Sequence, residues 1–477
     1  MDLRRSGTGK PGVRTLIALA SGAALLGAAL AAPSSAAGKG VGFGAPVKVT
    51  PANGGGYEPF VVSDRFGNLY ATAHKENAEL VVSPDANNPT MNRSQSWAWY
   101  SSDLGKTWKN LPEGPADVYS HTFGDEGDMA VDDAGGVYFV DTNVTDINFT
   151  SWKATGRGQI AFKSHLPVTG FGEPLDDRPW ITAHLDGHVM YIGNQGDKLT
   201  YPAAHQGEAY GSGSGAGRYT TYMSYDGGAS WDHIGTQLKD SGWCRPAAAP
   251  HSAYLYVLCT DDAGADDEIS NQGEAGHTVG KIYAYVSADD GKTWNRYDTG
   301  ARYNGHLTGG YYSYPTISVA KDGSLWGLYT DGLTPGCKAT TCTPTSNRFL
   351  LMHSTDHGRH WKVMDATPTL KGVYMYSWLA VSPDGKTLGL ATYAHAKAGA
   401  PWYVYGATFK PGQRPVLTSI DPKNPVSTKS AAPGDFLTSS FDPQGKLNIV
   451  WTRVVTTADT AAASAYVYRD IYSARSK

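Results

Sequence analysis

The 477-residue chain has little charge and few cysteines. Only 18% of its residues are charged, its formal net charge is −4 at pH 7, and it contains four cysteines. A mildly acidic, evenly charged chain lacks the basic surface that binds nucleic acid or an anionic membrane, so we expect neither as a partner. Beyond the N-terminus no long stretch has helical periodicity, which argues against a helical fold.

Several patterns typical of catalytic and metal sites are also missing. The sequence has no Gly-x-Ser-x-Gly elbow, no phosphate-binding loop and no Cys-x-x-Cys pair. The fourteen histidines are interpreted as forming no metal-binding cluster, so we expect no metal and no cofactor. The acidic stretch 261–268 lacks the spacing of a calcium loop and is interpreted as a solvated loop. Local disulfides are the preferred use of the cysteines, Cys244 with Cys259 and Cys337 with Cys342.

The N-terminus has the three regions of a secretion signal. A basic segment with Arg4, Arg5, Lys10 and Arg14 precedes an apolar run at 15–31 and small residues at 35–37. This order predicts a signal peptide over residues 1–37, a single domain over 38–477, and an extracellular protein. An uncleaved anchor is the alternative, because the apolar run is nearly long enough to span a bilayer.

What the chain does have is turns and aromatic residues, with 57 Gly, 29 Tyr and 13 Trp. This composition is typical of an all-β protein. One octapeptide, Ser-x-Asp-x-Gly-x-(Thr/Ser/His)-Trp, occurs four times, at 101–108, 224–231, 287–294 and 354–361. A turn repeated along a chain indicates a repeat architecture.

The chemistry of the octapeptide is that of a hairpin corner. Its Asp can accept hydrogen bonds from backbone N–H groups two or three residues on, and its Gly permits a positive φ. Its Trp can pack back onto the hairpin. We therefore interpret the Asp and Trp of each copy as structural. A degenerate fifth copy is read at 164–171.

These octapeptides resemble the Asp boxes of the bacterial neuraminidase repeat proteins, a superfamily that includes the sialidases. The resemblance is specific for fold type. It is much less specific for activity, because many proteins that carry the box are not sialidases.

A second repeat, made of a strand, an Asp/Gly turn and another strand, occurs seven times at spacings of about 50 to 70 residues. Such units predict a β-propeller of seven four-stranded blades, with six blades the alternative, since known sialidases have six. The last unit ends near Ser473 without an outer strand. Residues 42–50 are predicted to supply that strand and close the ring.

The first position of each inner strand is predicted to lie at one mouth of the central channel, where propellers usually bind ligands. Around the ring these positions are Glu58, Glu126, Arg178, Arg245, Tyr314, Tyr376 and Phe436, with Asp128, Asp177, Trp180 and Trp378 beside them. Acids, guanidinium groups and rings in one cleft suit a carbohydrate, since rings pack on sugar C–H surfaces and Arg binds carboxylates in a fork.

Glu126 or Asp128 and Glu58 or Asp177 are the candidate catalytic carboxylates. Arg178, Arg245, Tyr314, Tyr376, Trp378 and Trp180 are the candidate substrate-binding residues. Ion pairs between neighbouring blades, Arg178 with Glu126 or Arg245 with Glu58, are an equally weighted structural interpretation.

The resemblance implies a sialidase site of three clamping arginines, a Tyr nucleophile with a Glu partner, and an Asp acid/base. The family's Arg-Ile-Pro motif corresponds to Tyr57-Glu58-Pro59-Phe60, which has Glu in place of Arg. Arg178-Pro179 and Arg245-Pro246 resemble the motif in other blades, with Arg348 or Arg218 as a third arginine and Tyr314 or Tyr376 as nucleophile.

The sequence thus predicts a secreted, monomeric propeller that recognises or cleaves a glycan or polysaccharide. The alternative is a non-catalytic scaffold that binds carbohydrate or protein. Burial of Arg178 and Arg245 in salt bridges between blades would favour that alternative.

Overall fold

Seven antiparallel sheets of four strands each make up the part of the chain described by the structure, a computed structural model. The described residues are 40–51, 55–76, 96–112, 114, 127–142, 147–167, 179–194, 219–232, 235–261, 280–303, 314–331, 347–395, 400–427, 436–457 and 467–477. No helix occurs among them, and hence none that could cross a membrane. Lys39–Lys477 form one compact unit.

The strands are, in chain order, β1 (Val47–Lys48), β2 (Gly55–Ser63), β3 (Leu69–Glu76), β4 (Ser96–Ser101), β5 (Lys109–Asn110), β6 (Gly127–Val131), β7 (Gly136–Thr142), β8 (Ile147–Gly156), β9 (Gln159–Pro167), β10 (Trp180–His184), β11 (His188–Asn194), β12 (Tyr219–Ser224), β13 (Thr236–Leu238), β14 (Cys244–Ala248), β15 (Leu255–Thr260), β16 (Gly280–Ser287), β17 (Asn295–Tyr303), β18 (Thr316–Val319), β19 (Leu325–Asp331), β20 (Arg348–Ser354), β21 (Lys362–Asp365), β22 (Val373–Val381), β23 (Leu388–His395), β24 (Tyr403–Phe409), β25 (Thr418–Ser419), β26 (Thr438–Phe441), β27 (Leu447–Thr457) and β28 (Val467–Arg475).

Each sheet is one blade of a propeller. Blades 1 to 6 each consist of four consecutive strands, from β2–β5 to β22–β25, and blade 7 consists of β26, β27, β28 and β1. The first strands of successive blades contact one another around a closed ring, and the ring includes the contact of β26 with β2. The prediction of seven four-stranded blades is confirmed. We call the end of the ring where these inner strands begin the mouth, and the end where they finish the turn face.

The N-terminal segment closes the ring, as the sequence predicts. In β1, Val47 is paired with Ser473 of β28, and a further bridge joins Phe43 to Ser476. The Lys477 N–H donates to the carbonyl of Gly42 at 2.8 Å. Phe43 packs in the core shared by blades 6 and 7, so closure buries apolar surface as well as pairing an edge.

All four octapeptides form the same turn between the third and fourth strands of a blade. In the first copy the Asp103 carboxylate accepts the Thr107 N–H at 2.8 Å and the Thr107 hydroxyl at 2.6 Å. The Ser101 hydroxyl accepts the Gly105 N–H at 2.8 Å and donates to Asp103. Leu104 and Gly105 both have positive φ, 65° and 82°. The Asp103 carboxylate thus accepts an N–H four residues on, besides the backbone hydrogen bond from Lys106 three residues on, while Ser101 accepts the N–H of Gly105.

The octapeptides also join each blade to the one before it. A Cβ on Gly228 of blade 3 would lie 2.0 Å from the Phe149 ring of blade 2, and Trp231 meets that ring edge-on at 5.1 Å. Trp108 of blade 1 donates its indole N–H to the Ser473 hydroxyl of blade 7 at 3.0 Å. The structural role predicted for these Trp residues therefore extends beyond their own hairpins.

The fold also tests two smaller expectations. Cys244 and Cys259 lie opposite each other on β14 and β15 and form a disulfide, as predicted. Cys337 and Cys342 lie outside the described residues. Ser164 lies within β9 and the hairpin turn of blade 2 is at Arg157–Gly158, so the octapeptide predicted at 164–171 does not form that turn; residues 168–171 lie outside the described residues.

Candidate functional site

The structure describes seven of the ten candidate site residues. Glu126, Asp177 and Arg178 lie outside the described residues, as does Arg218. The other seven lie on inner strands, or within two residues of one, towards the mouth: Glu58, Asp128, Trp180, Arg245, Tyr314, Tyr376 and Trp378. The alignment of the seven repeats therefore brings most of the described candidates to the same end of the channel.

A buried ion pair between blades 2 and 4 is the central feature of this region. Arg245 on β14 donates from Nη2 to Asp128 Oδ1 at 2.9 Å. The Asp128 carboxylate also accepts the N–H of Met129 at 2.9 Å and the N–H of Ile181, on the intervening blade 3, at 3.1 Å. The pair thus links three blades. The expected partner of Arg245 was Glu58 of blade 1, and that pairing is not observed.

Aromatic rings enclose the guanidinium of Arg245. Its Cζ lies 4.4 Å from the ring centroid of Trp180, 4.5 Å from that of Trp378 and 5.0 Å from that of Phe60. These rings come from blades 3, 6 and 1, so cation–π contacts reach Arg245 from three sides. We call Phe60, Trp180, Tyr314, Trp378 and Phe436 the aromatic floor.

Burial governs the electrostatics of the pair. Arg245 is 8% exposed and Asp128 is 1% exposed. Desolvation raises the pKa of the Asp128 carboxyl, whereas the Arg245 guanidinium and the two backbone N–H groups act to lower it. Desolvation likewise lowers the pKa of Arg245. Neither group presents its charge to a ligand at the mouth in this conformation.

The two candidate tyrosines belong to the same buried layer. Tyr314 packs against Trp243 with ring centroids 5.0 Å apart, and against Phe436 at 5.1 Å. Tyr376 lies 6.2 Å from the Phe436 ring and is 4% exposed. Trp378 is half-buried, and it also lines the channel.

Glu58 has a different environment, at the junction of blades 1 and 7. It lies in a β-bulge of β2 between Tyr57 and Phe60, and its φ is +56°. Its carboxylate is 3.3 Å from the His74 Nε2, and its N–H donates to the Thr452 hydroxyl at 3.3 Å. Bulges re-aim side chains, and a positive φ at a residue other than Gly is strained, a combination that is found at functional sites.

Two further side chains complete this junction, and sequence reasoning missed both. The ring of His74 lies 4.4 Å from the half-buried ring of Tyr57, and the Arg469 Cζ lies 4.9 Å from the same tyrosine ring. We call Tyr57, Glu58, His74 and Arg469 the junction site. His74 is on β3 and Arg469 on β28, so an alignment of inner strands alone does not include them.

The bulge at Glu58 has a counterpart in blade 6. Tyr376 has φ +50° and lies in a bulge of β22 between Met375 and Trp378. Glu58 and Tyr376 occupy equivalent repeat positions, so the same backbone distortion delivers a carboxylate in one blade and a phenol in the other.

Beyond the aromatic floor, the channel contains a cavity of about 350 Å³. The inner strands line it from Asp128 and Arg245 at the floor to their last residues at the turn face, Ser63, Val131 and Val381 among them. Apart from Asp128 and Arg245, the side chains that line the cavity are small, apolar or hydroxylated.

Other candidate residues serve local roles. Arg348 pairs with Asp331 on the adjacent strand at 2.8 Å and remains half-exposed. Asp261, the first residue of the acidic stretch 261–268, accepts the Lys281 N–H at 2.8 Å and the Tyr303 hydroxyl at 2.6 Å. The rest of that stretch lies outside the described residues.

One histidine cluster does exist on the turn face, contrary to the expectation from sequence. His184, His188 and Asp290 place one ligand atom each within 4.8 Å of the others. The three residues are more than 100 positions apart at the extremes, and blades 3 and 4 bring them together.

Comparisons with known proteins show similarity of fold only. No family model matches the chain, and no curated protein sequence matches it. Among solved structures, a Dyadobacter fermentans protein of unknown function is 11% identical with a TM-score of 0.44, and the match covers 92% of this chain and 100% of that one. An alpha-L-arabinanase of Penicillium chrysogenum complexed with arabinobiose is 10% identical, with a TM-score of 0.43 and coverage of 90% and 98%. A Hadza microbial sialidase is 12% identical, with a TM-score of 0.43 and coverage of 82% and 71%.

Proposed function

We propose that residues 38–477 form a secreted glycan-binding propeller whose ligand contacts the mouth at the junction site. The observation that carries this proposal is the convergence of Tyr57, Glu58, His74 and Arg469 at one blade junction, described above. The half-buried ring of Tyr57 and the half-buried guanidinium of Arg469 provide a stacking face and a group that binds hydroxyls or a sugar carboxylate. Glu58 and His74 are 7% and 3% exposed and support these two side chains from beneath. The disulfide Cys244–Cys259 is compatible with export.

In this proposal Asp128 and Arg245 support the mouth from below. Their burial and mutual hydrogen bond favour a structural role, as do the rings of Trp180 and Trp378 around the guanidinium. This is the arrangement that favours a binding propeller over a sialidase, because Arg245 is not available as a clamping arginine. Tyr314 and Tyr376, buried in the same layer, would hold the floor in place.

A glycan array tests the binding function. Tag-free protein spanning residues 38–477 should bind a defined subset of glycans. Arg469→Met should weaken that binding about 10- to 100-fold, because it removes one charge-assisted hydrogen bond to the ligand. Arg414→Met is the control, because Arg414 is exposed on the turn face and, within the described part of the chain, pairs with a surface carboxylate, Asp365, at 3.0 Å. Equal loss in both variants, or no binding by the wild type, would reject the junction site.

A glycosidase is the second candidate, favoured by the strained backbone of Glu58 and its contact with His74. Here Glu58 would be one catalytic carboxylate, with Glu126 as the other and Arg178 as a substrate ligand. A panel of 4-methylumbelliferyl glycosides, sialoside included, tests it. Turnover that falls about 10²- to 10⁴-fold in Glu58→Gln, while the variant keeps its melting temperature, would establish hydrolysis. Glycan binding with no turnover across the panel would leave the binding function alone.

A further inference from the structure

Two imidazoles meet at the turn face of blade 3. His184 is the last residue of β10 and His188 the first of β11, and the two are directly paired across the hairpin. Side chains of directly opposed residues project from the same face of a sheet, and these rings lie 5.6 Å apart. The turn of three residues between them therefore holds both imidazoles beside blade 4.

A carboxylate from blade 4 reaches both imidazoles. Asp290 follows the Asp of the third octapeptide, has φ +61°, and is anchored by its N–H to the Ala253 carbonyl at 3.0 Å. Its Oδ1 is 2.8 Å from His184 Nε2 and its Oδ2 is 2.6 Å from His188 Nδ1. The position of the carboxylate is thus fixed by the octapeptide turn, which also forms in the three other copies.

The turn itself does not require this chemistry. The other three octapeptides have Leu104, Gly227 and His357 at the position of Asp290, all with positive φ. In blade 5, His357 stacks on Tyr254 of blade 4 with ring centroids 4.1 Å apart. At this position of the turn, a ring contact therefore joins the two blades in place of the contacts that Asp290 makes with two imidazoles. Two histidines and an aspartate at this junction therefore point to a role beyond closing the turn.

We propose that His184, His188 and Asp290 bind one divalent transition-metal ion of the zinc class on the turn face. Two imidazole nitrogens and one carboxylate are a donor set that zinc uses with a water in the fourth position. Calcium and magnesium prefer oxygen ligands only. This site is separate from the mouth and independent of the proposed glycan function.

The geometry accommodates such an ion after a small movement. Bonds of about 2.0–2.1 Å in a tetrahedral site require ligand atoms roughly 3.3 Å apart. The two imidazole–carboxylate distances, 2.8 Å to Oδ1 and 2.6 Å to Oδ2, would open by about 0.5 and 0.7 Å, and the ligand atoms, which lie within 4.8 Å of one another, would draw together to that spacing. His184 is fully buried, whereas His188 is about a quarter exposed, so the open coordination position faces solvent on the side of His188. Asp133, which accepts the Leu185 N–H at 3.1 Å, adds a second negative charge beside the cluster.

Metal titration of the full mature protein tests the proposal. Tag-free protein stripped with EDTA is titrated with Zn²⁺ by calorimetry and with Co²⁺ by visible absorption. We expect one equivalent bound, and a rise in melting temperature with Zn²⁺. His188→Ala and Asp290→Asn should each weaken binding at least about 100-fold, because each removes one of three ligands. Asn tolerates the positive φ of Asp290, so this variant keeps the turn.

The control is His360→Ala. His360 Nδ1 lies 2.6 Å from Asp356 Oδ2 in the fourth octapeptide, which reproduces one imidazole–carboxylate contact without a second histidine. Its loss should leave metal affinity unchanged. The proposal is overturned if the wild type binds no Zn²⁺ at millimolar concentration, in which case Asp290 only links two imidazoles by hydrogen bonds. It is equally overturned if binding survives in His188→Ala and Asp290→Asn.

Discussion

Breaking the Asp128–Arg245 pair should destabilise the whole propeller. Arg245→Met keeps an unbranched apolar stem among the rings of the floor but removes the guanidinium. Asp128 then keeps two backbone hydrogen bonds and loses its counter-ion while 1% exposed. Leaving one partner of a buried pair without the other costs about 3–5 kcal/mol. The loss should appear as a lower urea midpoint with an unchanged slope.

The pH dependence of this variant has a definite sign. Desolvation raises the pKa of Asp128, and Arg245 is the largest opposing influence. Removing Arg245 therefore moves the folded-state pKa further above the unfolded value. Between that raised pKa and the unfolded value of about 4, the folded variant binds a proton that the unfolded chain does not. Its deficit in stability relative to wild type should therefore shrink as pH falls through this range.

A double-mutant cycle separates the pair from its surroundings. Asp128→Asn should also destabilise, because it leaves the guanidinium buried among rings without a carboxylate. The double variant Asp128→Asn/Arg245→Met removes both charges, so neither is left buried without a partner. Its loss in free energy of unfolding should be smaller than the sum of the two single losses, by at least about 2 kcal/mol. Additive losses, or a loss below about 1 kcal/mol in Arg245→Met, would refute the reasoning.

Three further outcomes follow from the fold. Deleting residues 38–50 removes β1 and should lower the melting temperature sharply, because the edge of blade 7 and its core lose their cover; an unchanged melting temperature would contradict ring closure. Replacing Cys244 and Cys259 together by Ser opens a loop with a sequence separation of 15, which should cost about 3 kcal/mol by denaturant unfolding, and no loss would argue against the disulfide. The hydrogen bonds of the fourth octapeptide lower the pKa of Asp356 to about 2, so its stabilisation is present above the unfolded pKa of about 4 and is lost as pH falls towards 2. Asp356→Asn should reduce the fall in melting temperature between pH 4 and pH 2. The same fall in both proteins would contradict this prediction.

The architecture could be predicted because its signals are short-range. The turn at 101–108 is held by hydrogen bonds within eight residues, so the residues that form it can be recognised in the sequence as one short pattern. The same reasoning failed in blade 2, whose turn at Arg157–Gly158 lacks the pattern and was misassigned to 164–171. The closing strand β1 could be predicted because the last repeat lacks a fourth strand, which the N-terminal segment supplies.

The site could be predicted only in outline, because its contacts are long-range. Aligned positions place the described candidates at one end of the channel, but the predicted pairing of Arg245 with Glu58 is wrong. Arg245 instead pairs with Asp128, two blades away, because the channel is narrow enough for side chains to cross it. His74 and Arg469 come from a second and a third strand, which an inner-strand alignment omits. His184 and Asp290 meet through a blade junction that no local spacing encodes.

The pairing of β1 with β28 also determines how the ring responds to force. Gly42 and Lys477 are joined by a hydrogen bond, so tethers attached at the two ends of the domain emerge at one point on the rim of blade 7. Because the two strands are antiparallel, tension between those tethers acts across the bonds at the Phe43–Ser476 end first. The bonds would then open one after another rather than shearing together. A closure that we expect to stabilise the ring at equilibrium is therefore mechanically weak when both ends are pulled, and a single-end tether avoids that load.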